Sequence, residues 1–586
     1  MKPLLRLLPY LKLYRTTLVW GLLTVVASNL FNVAQPLFVG SAIDELKAGL
    51  DASTLDGSAV TRYALLIVGF SLAGGFFTFL TRQTIIVVSR RTEYDLRNDF
   101  LAHIQKLSLS FFQNTPTGSL MAHATNDISA VRNCLGPGIM YPVDTLMTFV
   151  MVLTIMLYKS WQLTLLALIP LPLVSYAVYK LGKVIHAKFE DRQEHYGRLT
   201  TRAQENLSGI RVVKAYVREK YEAGLFRTLS WEYLGKNLVL ARVQSIMWPL
   251  MFLLVGFSLV ITLYFGGTWV IDGRMTIGDL TAFFGYLLML IWPMIAFGWV
   301  INILQQGAAS MGRLAKIFDT EPDIRDTAAT NSSITTIRGD IEFRSVSFIH
   351  RNAKRPALTD ISLKIPQGTT LAVIGHTGAG KSTLVSLIPR LYDATGGTVL
   401  IDGVDIRNIP LHVLRSHVGY VPQETFLFSD TLGQNIMYGV ESGNREQILK
   451  AAQISNIARD VDDFPHQYET ILGERGITLS GGQKQRTSIA RAVMRQPAIL
   501  ILDDALSAVD TETEEEILKR LRGVMKSRTS IIVSHRISTV KDADQIIVLS
   551  DGGIAEQGTH NELVVLNGIY AELNRKQLLE KELEEL

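Results

Sequence analysis

Gly375-His-Thr-Gly-Ala-Gly-Lys381-Ser382 is a glycine-rich loop that ends in a cation and a hydroxyl. Its glycines let backbone N–H groups approach a phosphate chain, Lys381 reaches the β- and γ-phosphates, and Ser382 can ligate Mg²⁺. Gly375, Gly378, Gly380, Lys381, Ser382 and Thr383 are therefore candidate nucleotide-binding residues. Two further motifs follow in order. Leu479-Ser-Gly-Gly-Gln483 precedes the helical run Lys484–Met494, which puts Ser480, Gly481, Gly482 and Gln483 at a helix N-terminus. Free N–H groups and the helix dipole make such a terminus an anion site. Since the first loop already cradles one phosphate chain, a second anion-binding helix suggests nucleotide shared between two copies of the domain. Ile499-Leu-Ile-Leu-Asp503 then ends in Asp503-Asp504, with Asp503 placed to hold magnesium through water. Thr529–Ser534 is another strand pattern and leaves His535 at its end, within reach of a γ-phosphate.

These residues need an α/β scaffold. Thr369–Ile374 reads as a buried strand running into the glycine loop and then into an apolar helix, Thr383–Leu391. That strand–loop–helix context is what a phosphate-binding loop requires. From Ile341 onward, short β-branched runs alternate with helical patterns, as in βαβ units. Four segments are expected: a membrane domain over 1–320, a linker over 321–340, the nucleotide domain over 341–570 and a charged helix over 571–586. The last carries no catalytic assignment.

The first half is apolar. Six stretches reach the roughly 20 residues a bilayer span needs: Thr17–Gly40, Tyr63–Leu80, Ile139–Tyr158, Leu163–Leu181, Ile246–Ile271 and Leu280–Leu304. A charge at mid-bilayer costs roughly 2.5–3.5 kcal/mol, and the cores are expected to carry none. No cleavable signal peptide precedes them; Met1–Arg15 reads as a basic amphipathic segment at the membrane interface. Arg82, Arg90, Arg91 and Arg97 follow the second span, whereas the first loop carries Asp44, Glu45, Asp51 and Asp56 against Lys47. The positive-inside rule puts the N-terminus and the long polar connections 83–138 and 182–244 in the cytoplasm. Short turns such as Lys159-Ser-Trp161 and Asp272-Gly-Arg274 lie outside. The helices are thus expected to run on into the cytoplasm as paired rods.

A formal charge of +4 on 586 residues gives no reason to invoke nucleic acid. Cys134 is the only cysteine, which excludes an internal disulfide framework and a multi-cysteine metal site.

Taken together, the chain resembles an ABC exporter half-transporter of the multidrug and lipid-flippase type over essentially its whole length. The resemblance rests on the six-span domain, the glycine loop and Leu479–Gln483, which looks like the family signature. It implies an all-α six-helix transmembrane domain followed by an α/β P-loop ABC ATPase domain with a helical subdomain. By the same resemblance Gln423 is the Q-loop residue, serving both catalysis and the metal, and Ser507–Asp510 is the D-loop, with Asp510 near nucleotide. His535 becomes the switch histidine, and Glu474 belongs to a loop that contacts the membrane domain. The breaks near Gly118 and Gly209 resemble coupling helices. Implied with these are ATP and Mg²⁺, a second half-transporter, membrane lipid, a hydrophobic or amphipathic substrate, and residence in the bacterial inner membrane with the nucleotide domain cytoplasmic. Two ATP molecules would be sandwiched head to tail between two chains.

Two positions depart from the family pattern. His350 stands where a tyrosine normally stacks on adenine, and an imidazole can still stack. Asp504 stands where the catalytic glutamate polarises the attacking water. One methylene fewer pulls its carboxylate back by about 1.5 Å, and a misplacement near 1 Å costs roughly 10²-fold in rate. Asp504, His535 and Gln423 are the candidate catalytic residues, with Ser382, Gln423 and Asp503 on the metal. With the other motifs intact, the expectation is the weak-site half of a heterodimer. The competing readings are a homodimer in which Asp504 works slowly, and an ATP-gated regulatory membrane protein. Aromatic residues crowd the last two spans, among them Phe252, Tyr264 and Trp299. They leave drug and lipid substrates equally open.

Overall fold

Leu371–Ile374, Ile499–Leu502 and Ile546–Leu549 are apolar at every position and buried at every position. Side chains alternate across a strand, so such runs need cover on both faces, which is the condition of a parallel sheet. The computed structural model describes residues 2–51, 57–351 and 353–584; Asp56 of the expected acidic outer loop lies outside them. The chain divides into two compact units, Met1–Ile104 with Gly118–Asp319, and Gln105–Thr117 with Thr320–Leu586.

Among its described residues the second unit carries ten strands: β1 (Ile341–Phe348), β2 (Leu358–Ile365), β3 (Thr370–Gly375), β4 (Gly396–Ile401), β5 (Val404–Asp405), β6 (Val418–Val421), β7 (Ile499–Asp503), β8 (Thr529–Val533), β9 (Gln545–Ser550) and β10 (Gly553–Gly558). One sheet runs β10-β9-β3-β8-β7-β6, and a four-stranded antiparallel sheet runs β2-β1-β4-β5. In the larger sheet β9, β3, β8, β7 and β6 are parallel, with Leu502 opposite Ile532 and Asp503 opposite Val533. Their C-terminal ends therefore share one edge, where ligands bind in open α/β sheets. A separate apolar cluster around Leu427, Leu432, Ile436, Ala452 and Leu472 forms the core of the helical subdomain.

The first unit is helical. Among the described residues five helices are long and apolar enough to cross a membrane: Arg15–Asp51, Val60–Ile104, Thr117–Lys159, Glu219–Ile271 and Ile277–Phe318. The expected fourth span, Leu163–Leu181, is not one uninterrupted helix of this kind. It falls on Trp161–Leu168 and the start of Pro170–Ser208, parted at Ile169 because Pro170 opens the second helix. Proline lacks an N–H and clashes with the preceding turn, so it is tolerated at a first helical position and kinks or breaks an interior one. Pro170–Ser208 has 39 residues and Glu219–Ile271 has 53. At 1.5 Å per residue these are about 58 and 80 Å long, well beyond a hydrocarbon core of about 30 Å, and they pack along each other. Ser160 alone joins Lys159 to Trp161, capping the second helix by accepting from the Leu163 N–H.

Two charges fall within the expected spans: Lys180 beside the end of the fourth, and Asp144 in the third. Asp144 lies inside the third expected span, on the helix Pro137–Lys159, and the buried Asn29 donates to it at 2.8 Å.

The two breaks in the long connections are short helices, Leu109–Asn114 and Ile210–Ala215. The first belongs with the second unit, where Gln113 Nε2 donates to the Tyr392 hydroxyl at 2.6 Å.

Candidate functional site

β3 delivers the chain into the glycine loop through backbone that only glycine tolerates. Gly380 has φ +96°, and a Cβ there would lie 2.4 Å from the Ala357 carbonyl oxygen. A Cβ on Gly375 would lie 2.3 Å from the Leu549 carbonyl oxygen. Lys381 opens the helix Lys381–Leu387 and folds back over the loop, donating to the Gly375 and His376 carbonyls at 2.8 and 3.0 Å. Those carbonyls keep the ammonium over the concavity of the loop. Burial lowers its pKa, and the charges of Asp504 and Asp503 oppose that shift.

Next to it, Ser382 Oγ donates to Asp503 Oδ1 at 3.0 Å. Asp503 is 2 % exposed. Burial raises its carboxyl pKa, Asp504 adds to the rise, and the Ser382 hydroxyl and Lys381 oppose it. Tyr420, on β6, is pushed up to about 12 by burial, with Asp503 contributing. A hydroxyl and a carboxylate converging in a polar recess form the all-oxygen donor set that suits Mg²⁺.

Because β8 lies between β3 and β7, His535, two residues beyond its end, lies between the loop and the two aspartates. His535 Nδ1 is 3.1 Å from Asp504 Oδ1. Asp504 itself has φ +50° and donates its N–H to the Val533 carbonyl at 2.9 Å. Left-handed backbone at a non-glycine residue is uncommon, and asparagine and aspartate tolerate it best.

The signature residues form a separate cluster. Ser480 caps the helix Gly481–Met494 in a reciprocal box with Gln483: Ser480 Oγ accepts from the Gln483 N–H, and Gln483 Oε1 accepts from the Ser480 N–H. Gly481 and Gly482 are the first helical residues, and a Cβ on Gly482 would lie 2.9 Å from the Ala508 carbonyl oxygen. Asp510 caps the helix Thr511–Met525, and the Thr513 N–H that it accepts lowers its pKa. Gln423 and Glu474 are exposed. His350 follows β1 with its ring edge-on to Phe348 and Tyr392, at 4.8 and 5.5 Å, and its Nε2 is 3.5 Å from Thr383 Oγ1. The structure thus gathers Lys381, Ser382, Asp503, Asp504 and His535 at one sheet edge. It leaves Ser480–Gln483 and Gln423 outside their hydrogen-bond contacts.

Two glutamines escaped the sequence reading. Gln485 receives the Ala508 N–H at 2.9 Å and donates to Ser507 Oγ at 2.9 Å, tying the signature helix to the loop after Asp504. Gln577, on the helix Ile569–Glu584, donates to the His535 carbonyl at 2.6 Å and accepts the Ile537 N–H at 2.8 Å. Neither has a motif; both contacts join residues far apart in sequence.

A strand-end phosphate site fused to helices of membrane-spanning length defines an ATP-powered membrane transporter. Residues 18–294 match the ABC transporter transmembrane region and residues 358–507 match the ABC transporter domain. The chain belongs to the ABC transporter family and is an ATPase coupled to transport: an integral inner-membrane exporter with a cytoplasmic, nucleotide-binding ATPase domain. It is 38% identical to the probable multidrug resistance ABC transporter ATP-binding/permease protein YheI of Bacillus subtilis, over 97% of each chain. It is 37% identical to the ATP-dependent lipid A-core flippase of Syntrophus aciditrophicus, over 91% of this chain and 89% of the relative. A bacterial Atm1-family ABC exporter solved with ATP bound superposes with a TM-score of 0.78 at 29% identity, covering 96% of this chain and 98% of the other.

Proposed function

We propose that this chain is one half of a dimeric exporter for hydrophobic or amphipathic compounds, and that its own ATP site turns over slowly. Support for the substrate class comes from the multidrug and lipid relatives. The observation that carries the slow site is Asp504. Its carboxylate is a methylene short of a glutamate, and its Oδ1 is engaged by His535 rather than free toward an attacking water. In this reading Gly375, Gly378, Gly380, Lys381 and Thr383 hold the phosphates, while His350 faces adenine. Ser382, Asp503 and Gln423 hold Mg²⁺, which when bound offsets phosphate charge. Ser480–Gln483 and Asp510 serve the ATP of the facing chain, so an intact signature beside a weak carboxylate suits a heterodimer. ATP acts by binding the closed dimer more tightly than the open one.

A second reading draws on the same contact. Asp504 and His535 at 3.1 Å could act as a working acid–base pair in a slow homodimer. Steady-state ATPase of the chain alone in lipid nanodiscs, beside Asp504→Ala and Asp504→Glu, separates the two. The heterodimer reading expects wild-type turnover near background, with Asp504→Glu raising it by roughly 10²-fold if the longer side chain restores the water's position. Wild-type turnover above background that Asp504→Ala abolishes would favour the homodimer instead.

A further inference from the structure

The third expected span carries an acid, Asp144, inside its apolar stretch. Asp144 sits on the helix Pro137–Lys159, and about 22 Å of helix at 1.5 Å per residue separates it from Lys159. It is therefore within the apolar stretch and not at the edge where Lys159 ends it. Among the described residues it makes no ion pair; its contact is with a neutral amide on another span.

The polarity of that contact is set by the rest of the network. Asn29, 4 % exposed, spends one amide hydrogen on the Val25 carbonyl at 3.0 Å and the other on Asp144 Oδ1 at 2.8 Å. Its Oδ1 accepts the Thr148 hydroxyl, one turn beyond Asp144 on the same helix. With Asn29 committed in this way, Asp144 is presented as an acceptor. Asp144 is half-buried, and no hydrogen bond to its Oδ2 is seen among the described residues. One turn before Asp144, on the same helix face, Tyr141 meets Trp299 edge to face at 5.0 Å. Trp299 is 46 % exposed and offers an open π surface.

An ionisable side chain inside a membrane span is costly, and it is retained where it pairs or recognises something. Here the pairing is incomplete, and an aromatic surface, which attracts cations in its own right, stands beside it. We infer that Asp144, oriented by Asn29 and Thr148 and flanked by Tyr141 and Trp299, recognises the positive charge of an amphipathic cation in the membrane domain. This deepens the exporter reading and rests on it: the substrates favoured are organic cations with apolar bodies.

Tetraphenylphosphonium and tetraphenylborate share a shape and differ in sign of charge. Equilibrium binding of each, radiolabelled, to the full chain in lipid nanodiscs is measured against empty nanodiscs, which removes partition into lipid. The expected result is saturable phosphonium binding by the wild type, weakened roughly tenfold or more by Asp144→Asn. Asp144→Glu keeps most of that binding, and the borate is not weakened by either change. Equal loss of both ions in Asp144→Asn would mean a packing role and overturn the proposal. So would an unchanged phosphonium affinity, or no saturable phosphonium binding in the wild type. ATP-driven uptake into proteoliposomes is followed in parallel. Uptake of another amphipath without phosphonium binding removes this site and leaves export intact. Charge-selective binding keeps the site even where the chain alone drives no uptake, as the heterodimer reading expects; export is removed if the complex with a partner that carries the missing glutamate also drives none.

Discussion

Asp503 and Asp504 are neighbours in sequence with opposite surroundings. Asp503 ends β7 inside the sheet edge and receives the Ser382 hydroxyl, while the Asp504 side chain is 17 % exposed and meets His535. Burial raises the pKa of Asp503 above the ordinary carboxylate value. The folded state then binds this proton more tightly than the unfolded state does. Its contribution to stability is present below the unfolded pKa and is lost as pH rises through the raised folded value. Asp503→Asn is therefore expected to raise the melting temperature of the nucleotide-free protein at neutral pH and to abolish the extra stabilisation by ATP with Mg²⁺ over ATP alone. Thermal melts with ATP, with and without Mg²⁺, check both halves, and a lowered melting point without nucleotide would contradict the first. The same carboxylate that burial disfavours is the one suited to a cation.

At the scale of elements, the strand order β3-β8-β7 does the assembling. It places the loop, the histidine and the aspartates at one edge although they come from distant parts of the chain. The C-terminal helix Ile569–Glu584 adds a clamp: Gln577 holds the backbone on both sides of Arg536, at the His535 carbonyl and the Ile537 N–H. Two such bonds contribute roughly 1–3 kcal/mol net. Gln577→Ala is expected to speed hydrogen exchange at the Ile537 amide by at least about tenfold. Turnover, measured in a hydrolysing dimer, should fall more than ATP affinity. Gln577→Glu keeps the acceptor and loses the donor, so its effect should lie between. Unchanged exchange at Ile537 would show that the loop does not depend on this helix. The sequence reading gave this helix no role because its composition shows only a solvated Glu-, Lys- and Leu-rich stretch.

For the whole molecule, the heterodimer reading has an asymmetric signature. In a complex with a partner that carries the missing glutamate, Gly482→Asp in this chain would put an anion where the partner's ATP must dock. ATPase activity should then fall by roughly 10²–10³-fold. Lys381→Ala in this chain disables only its own slow site, and activity should fall by no more than several-fold. Equal losses from the two substitutions, measured on the purified complex, would point to two equivalent sites.

The sequence alone determined the class of machine. Phosphate chemistry constrains a short contiguous loop so tightly that Gly375–Ser382 can be read without a fold, and bilayer thickness writes itself as runs of apolar residues. It also exposed the one position on which the slow-site proposal rests, because a missing methylene at Asp504 is a covalent fact. What it did not determine depends on partners remote along the chain. Proline at 170 divides a span that hydropathy joins. Asp144 is legible as an acid in a span, but only the packing of the helix Arg15–Asp51 against it supplies Asn29 as its partner. Gln485 and Gln577 are ordinary surface residues until the sheet and the last helix bring their amides to Ala508, His535 and Ile537. A motif is read where chemistry is local; a hydrogen bond between distant residues exists only once burial has chosen which faces meet.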